Sequence, residues 1–250
     1  MCLLLLALQP DSQHPLIVAA NRDEFHDRPT APAHWWPEGI LAGRDRQAGG
    51  TWLGVSRDGR FAALTNFRNP IDNDPARASR GELVVQALTS RQSPAAQLAY
   101  LTRQGQRYNG FNLLFGSAGG LYAYNNQDHS TLTLSPGLYG LSNHLLETPW
   151  PKVCRGKHLL RDYLAATRIP CPEPLFELLA DRQAPGDAEL PHTGVGLESE
   201  RLLAPMFIVS PHYGTRSSSV LIVDQGGRLR FAERSYDARG RAVGTREFRF

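Results

Sequence analysis

Two short apolar runs, Leu3–Leu8 and Leu16–Ala20, open the chain with Gln9-Pro10-Asp11-Ser12 between them. Runs this short, broken by Pro and Asp, read as two strands joined by a turn. Antiparallel pairing then fixes the ends. Cys2 heads the first strand, and the polar stretch Asn21-Arg22-Asp23-Glu24 closes the second beside it. A thiol next to an Arg and an Asp is poised for chemistry, because Arg favours thiolate and Asp could hold an α-ammonium. A solvated strand end with a local ion pair would look the same. A second constraint acts on Arg22 and Asp23. Neighbours on a strand point to opposite faces, so both reach Cys2 only if the backbone bends.

The rest of the chain repeats this grouping. Thr51–Ser56 and Phe61–Asn66 flank Arg57-Asp58-Gly59-Arg60, and Asp-Gly between apolar runs signals a hairpin. Ser79-Arg80-Gly81-Glu82 has the capping-box pattern, and Ser93-Pro94 reads as an N-cap followed by Pro, so helices are expected over about 80–90 and 94–104. Strands follow at Phe111–Phe115, Leu121–Asn125 and Leu138–Ser142. A helix starts near Trp150-Pro151 with Leu159, Leu160, Tyr163 and Leu164 as its stripe, and a short one covers Pro174–Leu179. Asp181–Leu203 reads as a loop. Met206–Val209, Ser218–Val223, Leu229–Ser235 and Thr245–Phe250 read as closing strands. Grouped strands and helices imply an α+β fold with two antiparallel sheets covered by helices, and no linker divides residues 1–250.

The formal net charge of +3 is spread along the 250 residues without a Lys/Arg run, so no nucleic-acid partner is expected. Leu3–Leu8 is too short for a bilayer span and lacks the basic flank of a secretory signal. The expectation is a cytoplasmic protein without stable membrane insertion, whose Cys2, Cys154 and Cys171 stay reduced. If Met1 is removed, Cys2 carries both a thiol and a free α-amine, a nucleophile and its base on one residue.

Asn66 and Asn143 each end an expected strand. An Asn side chain can donate to a developing oxyanion, although Asn also ends strands because it tolerates turns. Arg216 opens a late strand in Tyr213-Gly214-Thr215-Arg216-Ser217-Ser218. No HExxH or HxxxH pattern indicates zinc, and no metal site is expected. His26, His34, His144 and His212 lie near these stretches and could ligate a haem iron, although a lone His is more often structural.

Together these stretches resemble the NRDE family, the transport-and-Golgi-organisation type-two proteins. The matches include Met1-Cys2, Asn21-Arg22-Asp23-Glu24, Ala42-Gly43-Arg44-Asp45, Gly49-Gly50-Thr51-Trp52, Leu64-Thr65-Asn66-Phe67-Arg68, Ser79-Arg80-Gly81, Gly110-Phe111-Asn112, Leu141-Ser142-Asn143, Pro149-Trp150-Pro151-Lys152-Val153 and Tyr213–Ser218. The resemblance implies the fold of N-terminal-nucleophile hydrolases, a four-layer αββα sandwich. It is more distantly similar to bile-salt hydrolases and penicillin V acylases. By that analogy Cys2 is the nucleophile, Arg22 and Asp23 orient it, Asn143 and Asn66 hold the oxyanion, and Arg216 supports the site. The implied reaction is hydrolysis of a linear, non-peptide amide through a thioester, with no cofactor. The family also implies a non-enzymatic alternative: haem or acyl-CoA/lipid binding and trafficking through the same cleft, with haem or an acyl ligand as partner.

Overall fold

The computed structural model describes residues 2–250, so the expectation about Met1 removal lies outside the described residues. In chain order the strands are β1 (Cys2–Leu8), β2 (Leu16–Phe25), β3 (Thr30–Trp35), β4 (Ile40–Asp45), β5 (Leu53–Ser56) and β6 (Phe61–Asn66). Helices α1 (Gly81–Thr89) and α2 (Pro94–Gln104) come next, then β7 (Phe111–Ser117), β8 (Gly120–Asn125), β9 (Thr131–Thr133) and β10 (Gly137–Leu141). The chain closes with α3 (Pro151–Ala166), α4 (Pro172–Leu179), α5 (Leu197–Leu203), β11 (Tyr213–Val223), β12 (Leu229–Tyr236) and β13 (Ala242–Arg249). The α+β class with two antiparallel sheets is as the sequence implies.

Two compact units divide these elements. The first takes the chain up to Asp27, then Pro136–Ser142 and Leu146–Phe250. Its sheet runs β10-β1-β2-β11-β12-β13. The opening leucines explain why it forms. Leu3, Leu5 and Ala7 point to one face and pack with Ile17, Ala19, Val220 and Ile222 against Val153 and Leu160 of α3 and Leu175, Phe176 and Leu179 of α4. Leu4, Leu6 and Leu8 point the other way and are equally buried. Each fully buried Leu contributes roughly 1.5–3 kcal/mol, so β1 is held from both sides.

The second unit takes Arg28–Ser135 and Asn143–Leu145. Its sheet runs β3-β4-β5-β6-β7-β8-β9. Leu83, Val84, Ala87 and Leu88 of α1 pack with Ala42, Ala62, Leu64 and Leu113. Close backbone approach sets the start of α1. A Cβ on Gly50 would stand 2.5 Å from the carbonyl carbon of Gly81. The Gly49-Gly50-Thr51 and Ser79-Arg80-Gly81 stretches are thus two sides of one contact.

Three local expectations differ from the structure. The capping box does not form: Arg80 is the N-cap, its side chain donates to the Gly110 carbonyl rather than capping the helix, and Glu82 accepts from the Tyr108 hydroxyl. Ser93 does cap α2, accepting from the Ala96 N–H at 3.3 Å. Residues 181–203 hold α5, whose Leu203 is buried and whose Glu200 accepts both the N–H and the hydroxyl of Thr193. Met206–Val209 is no strand: Met206, Phe207 and Ile208 are buried and Val209 is exposed, Ile208 bonds the backbone and hydroxyl of Thr215, and Val209 makes an isolated bridge to Gly214 rather than a ladder.

Candidate active site at the head of the first strand pair

The hairpin reading holds residue by residue. Cys2 stands directly opposite Arg22, and Leu3 opposite Asn21. Opposed residues of an antiparallel pair share a face, so the Arg22 side chain lies on the thiol's side. Leu3 belongs to the helix-facing core. Asn21 and Asp23 therefore point toward the helices, away from the thiol. Strand β2 does not bend to reconcile them. It continues as strand through the polar stretch to Phe25.

The irregularity sits on the partner strand. Thr215 pairs with Asp23 and Ser217 pairs with Arg22, which leaves Arg216 as the extra residue of a β-bulge. The bulge gives Arg216 its special position: its guanidinium donates to the Phe25 carbonyl at 2.6 Å. Burial and the nearby Arg22 charge lower its pKa, and Glu24 and Asp27 oppose that. Arg22 is buried and ion-paired with Glu24 at 3.7 Å.

On the helix side the polar residues are tightly bonded. Asn21 donates to the carbonyls of Leu179 (2.9 Å) and Met206 (2.8 Å), and Ser218 donates to its amide oxygen at 2.6 Å. Asp23 accepts from the Thr215 hydroxyl at 2.7 Å. Its backbone carbonyl accepts from the Tyr213 hydroxyl at 2.9 Å. Burial pushes the Asp23 carboxyl up, against lowering by Lys152, Thr215 and Arg22.

Around the thiol, burial is again the largest influence and raises the Cys2 pKa. Asp23 raises it further, while Arg22 and the Asp23 backbone N–H, which donates to the sulfur, lower it. The expectation that Arg22 favours thiolate is right in sign, but burial outweighs it. The resting group is a neutral thiol that needs a base. The Cys2 carbonyl is held by the Ser142 hydroxyl at 3.1 Å.

Cys2, Arg22, Asp23 and Arg216 thus come together in the first unit. Asn66 and Asn143 belong to the second, where the Asn143 amide donates to the Asn66 carbonyl at 2.9 Å and the Asn143 carbonyl accepts from Arg68 N–H at 2.7 Å. Asn112 extends this network to Thr65 and the His144 carbonyl. Of the histidines, His26 bonds the Ser210 carbonyl and His34 that of Pro32. His144 stacks on Phe67 at 4.8 Å between ring centroids, and burial lowers its pKa. Among the described residues no group of three or more His, Cys, Asp and Glu could hold a metal, and no helix is long and apolar enough to cross a membrane.

Sequence reasoning did not single out Lys152 or Thr215. Lys152 had a signal: it shares the buried stripe of α3 with Val153, Gly156 and Leu160, where a lysine is out of place unless it has a polar task.

Among solved structures, the chain is similar to a Caenorhabditis elegans N-acylethanolamine-hydrolyzing acid amidase ortholog at 10% identity and TM-score 0.51, covering 90% of this chain and 93% of that one. It is similar to a conjugated bile acid hydrolase from Clostridium perfringens at 9% identity and TM-score 0.54, covering 99% and 92%. At such identities the likeness is one of fold, that of the N-terminal-nucleophile hydrolases. Sequence relatives are much nearer. The Bos taurus Transport and Golgi organization protein 2 homolog is 38% identical over 257 residues, covering 94% of this chain and 93% of that protein. The Homo sapiens homolog is 36% identical over the same span, and the Drosophila melanogaster protein is 28% identical over 264 residues. The Transport and Golgi organisation 2 family model matches residues 1–238, and the chain belongs to that family.

Proposed function

We propose that the protein is an N-terminal-cysteine amidohydrolase acting on a linear, non-peptide amide in a reducing cytoplasm. The observation that carries the reading is the Cys2–Arg22 pair at the head of β1, with the Asp23 N–H on the sulfur. A buried neutral thiol needs a base within reach. The α-amine of a processed Cys2, with an unperturbed pKa of about 7.7–8.0, is suited to it.

The α-amine takes the thiol proton, and the thiolate attacks the amide carbonyl carbon. The C–N bond breaks, the ammonium returns the proton to the departing amine, and a thioester remains. Water then attacks the thioester, giving the acid and the free thiol. Asp23 orients the α-ammonium, and Arg22 supports the thiolate. Arg216 braces the strand end, and Asn143 with Asn66 carries the oxyanion role that the family resemblance implies. The two structural neighbours, an amidase and a bile acid hydrolase, favour the class of reaction. Turnover of a panel of N-acyl amides tests it. Cys2→Ala should lower any activity by about 10³-fold or more, and unchanged turnover would remove the mechanism.

One observation favours a second reading, a haem or acyl-chain carrier: the sequence relatives are named for transport, not for a reaction. His144, kept neutral by burial, has the protonation state of an iron ligand. A Soret shift on haem titration that His144→Ala abolishes would support the carrier. No shift and no retained acyl ligand would remove it.

A further inference from the structure

Arg22 has a second cross-strand neighbour, Ser217 of β11, and the pairing carries on across the sheet. Ser217 stands opposite Ser235, and Ser235 opposite Gly244. Opposed residues share a face, so Cys2, Arg22, Ser217, Ser235 and Gly244 form one row across five strands on the thiol's side. The row runs from buried to open. Ser217 is 6% exposed, Ser235 is half-buried, and a Cβ on Gly244 would meet nothing within 4 Å. Beyond Arg22 the row is therefore a low floor of small residues, and one of them stands out. The Ser217 hydroxyl is buried and has no hydrogen-bond partner among the described residues. Its neighbour Ser218, on the helix side, donates to Asn21. A buried hydroxyl left unpaired by the protein is costly unless another molecule pairs with it.

Three constraints define what that molecule presents. The first is distance: two strand spacings put Ser217 about 10 Å from Cys2. The second is charge. Arg22 pairs with Glu24 on the same face, and Glu233, opposite Ser219 one step along that face, stands across from Arg246. Each of these charges has an opposite charge beside it, so a neutral hydrogen-bonding group suits the row better than an ion. The third is direction. The α-amine that returns its proton to the departing amine lies off the end of β1, so the amine half of the substrate lies there too. The row runs across the strands and is left to the acyl half. We propose that Ser217 is a specificity-determining residue of the Cys2 site, whose hydroxyl pairs with a hydroxyl carried on the acyl chain of the substrate. The inference rests on the hydrolase reading, and it narrows the substrate class to amides of hydroxylated acids. A site that pairs a substrate hydroxyl rejects the analogue lacking it, because its own polar group is then left unpaired.

The test uses the full chain and a set of N-decanoyl p-nitroanilides, one unsubstituted and the others with a single hydroxyl moved stepwise along the chain. At the best position kcat/KM should exceed that of the unsubstituted amide by about tenfold or more, and Ser217→Ala should bring the ratio to about one. No preferred position, or a preference that survives Ser217→Ala, would overturn the proposal. The contact is also read without turnover. In Cys2→Ala, calorimetric Kd values for the same amides should show the same preference, again lost when Ser217→Ala is added. Preferential binding through Ser217 in a protein that cleaves none of them would sink the hydrolase reading and leave this contact standing. Cleavage without a hydroxyl preference would do the reverse. Urea unfolding checks the premise: Ser217→Ala should lower the midpoint less than Ser218→Ala, whose hydroxyl is bonded to Asn21. An equal or larger loss at Ser217 would mean that the protein itself uses the hydroxyl, and the proposal would fall.

Discussion

Cys2 and Arg22 face each other across β1 and β2, while the next residue, Asp23, turns its carboxylate to the other side of the same sheet. The two charges therefore act on the thiol by different routes. Arg22 shares the sulfur's face, and Asp23 reaches it through a backbone N–H and through its field. Arg22→Met should raise the pH midpoint of Cys2 alkylation, because it removes an influence that lowers the thiol pKa. Asp23→Asn should lower that midpoint. Shifts of the same sign in both variants would contradict this division.

Asn21 predicts a stability effect distinct from any catalytic one. It makes three hydrogen bonds while 1% exposed, two of them to carbonyls of separate chain segments. Asn21→Ala leaves those carbonyls without their donor and should cost about 3 kcal/mol in urea unfolding. A loss below about 1 kcal/mol would mean that α4 and the 203–206 segment are held by apolar packing alone.

Two aspartates should respond to pH with opposite signs. Burial would raise Asp45, but hydrogen bonds from Arg28 and from the Ala48 and Gln47 N–H groups hold its carboxyl below the usual range. A lowered carboxylate contributes stability above about pH 4 and loses it as pH falls through the folded pKa. Asp45→Asn should therefore destabilise at pH 7, and the difference should fade in acid. Asp23 is raised, so its ionised form opposes folding above the unfolded pKa. Asp23→Asn should raise the urea midpoint at pH 7 and raise it less as pH falls. Stability given up at Asp23 is expected of a residue kept for function.

Gly50→Ala tests the contact beneath α1. The added Cβ would overlap the Gly81 backbone, which cannot rotate away. The expected cost is about 1–3 kcal/mol. Gly50→Ala that unfolds at the wild-type urea concentration would mean that α1 is free to shift.

Much of this was legible in the chain, for reasons that separate local from non-local physics. The leucine run, the Asp58-Gly59 turn and Ser93-Pro94 act through neighbours in sequence, and each formed as expected. Asn21–Glu24 looked like a strand end because its polar side chains break the apolar alternation. Yet β2 runs on, since Asn21 and Asp23 find partners on the helix side and Arg22 and Glu24 pair on the other. Strands β3 and β4 went unread because Pro32 and Gly43 interrupt weak patterns that only sheet pairing stabilises. The Arg216 bulge is invisible in one strand alone, because a bulge is a mismatch between two. Lys152 went unread because its burial comes from the packing of the α3 stripe and not from its neighbours in sequence.

The most direct test of the central claim is the intact mass of the purified protein carrying Cys154→Ser and Cys171→Ser, before and after a thiol-directed acylating probe. The account predicts a mass lacking Met1 and a single adduct that Cys2→Ala removes. A retained Met1 with an inert Cys2 would contradict it, since no N-terminal base would then stand beside the thiol.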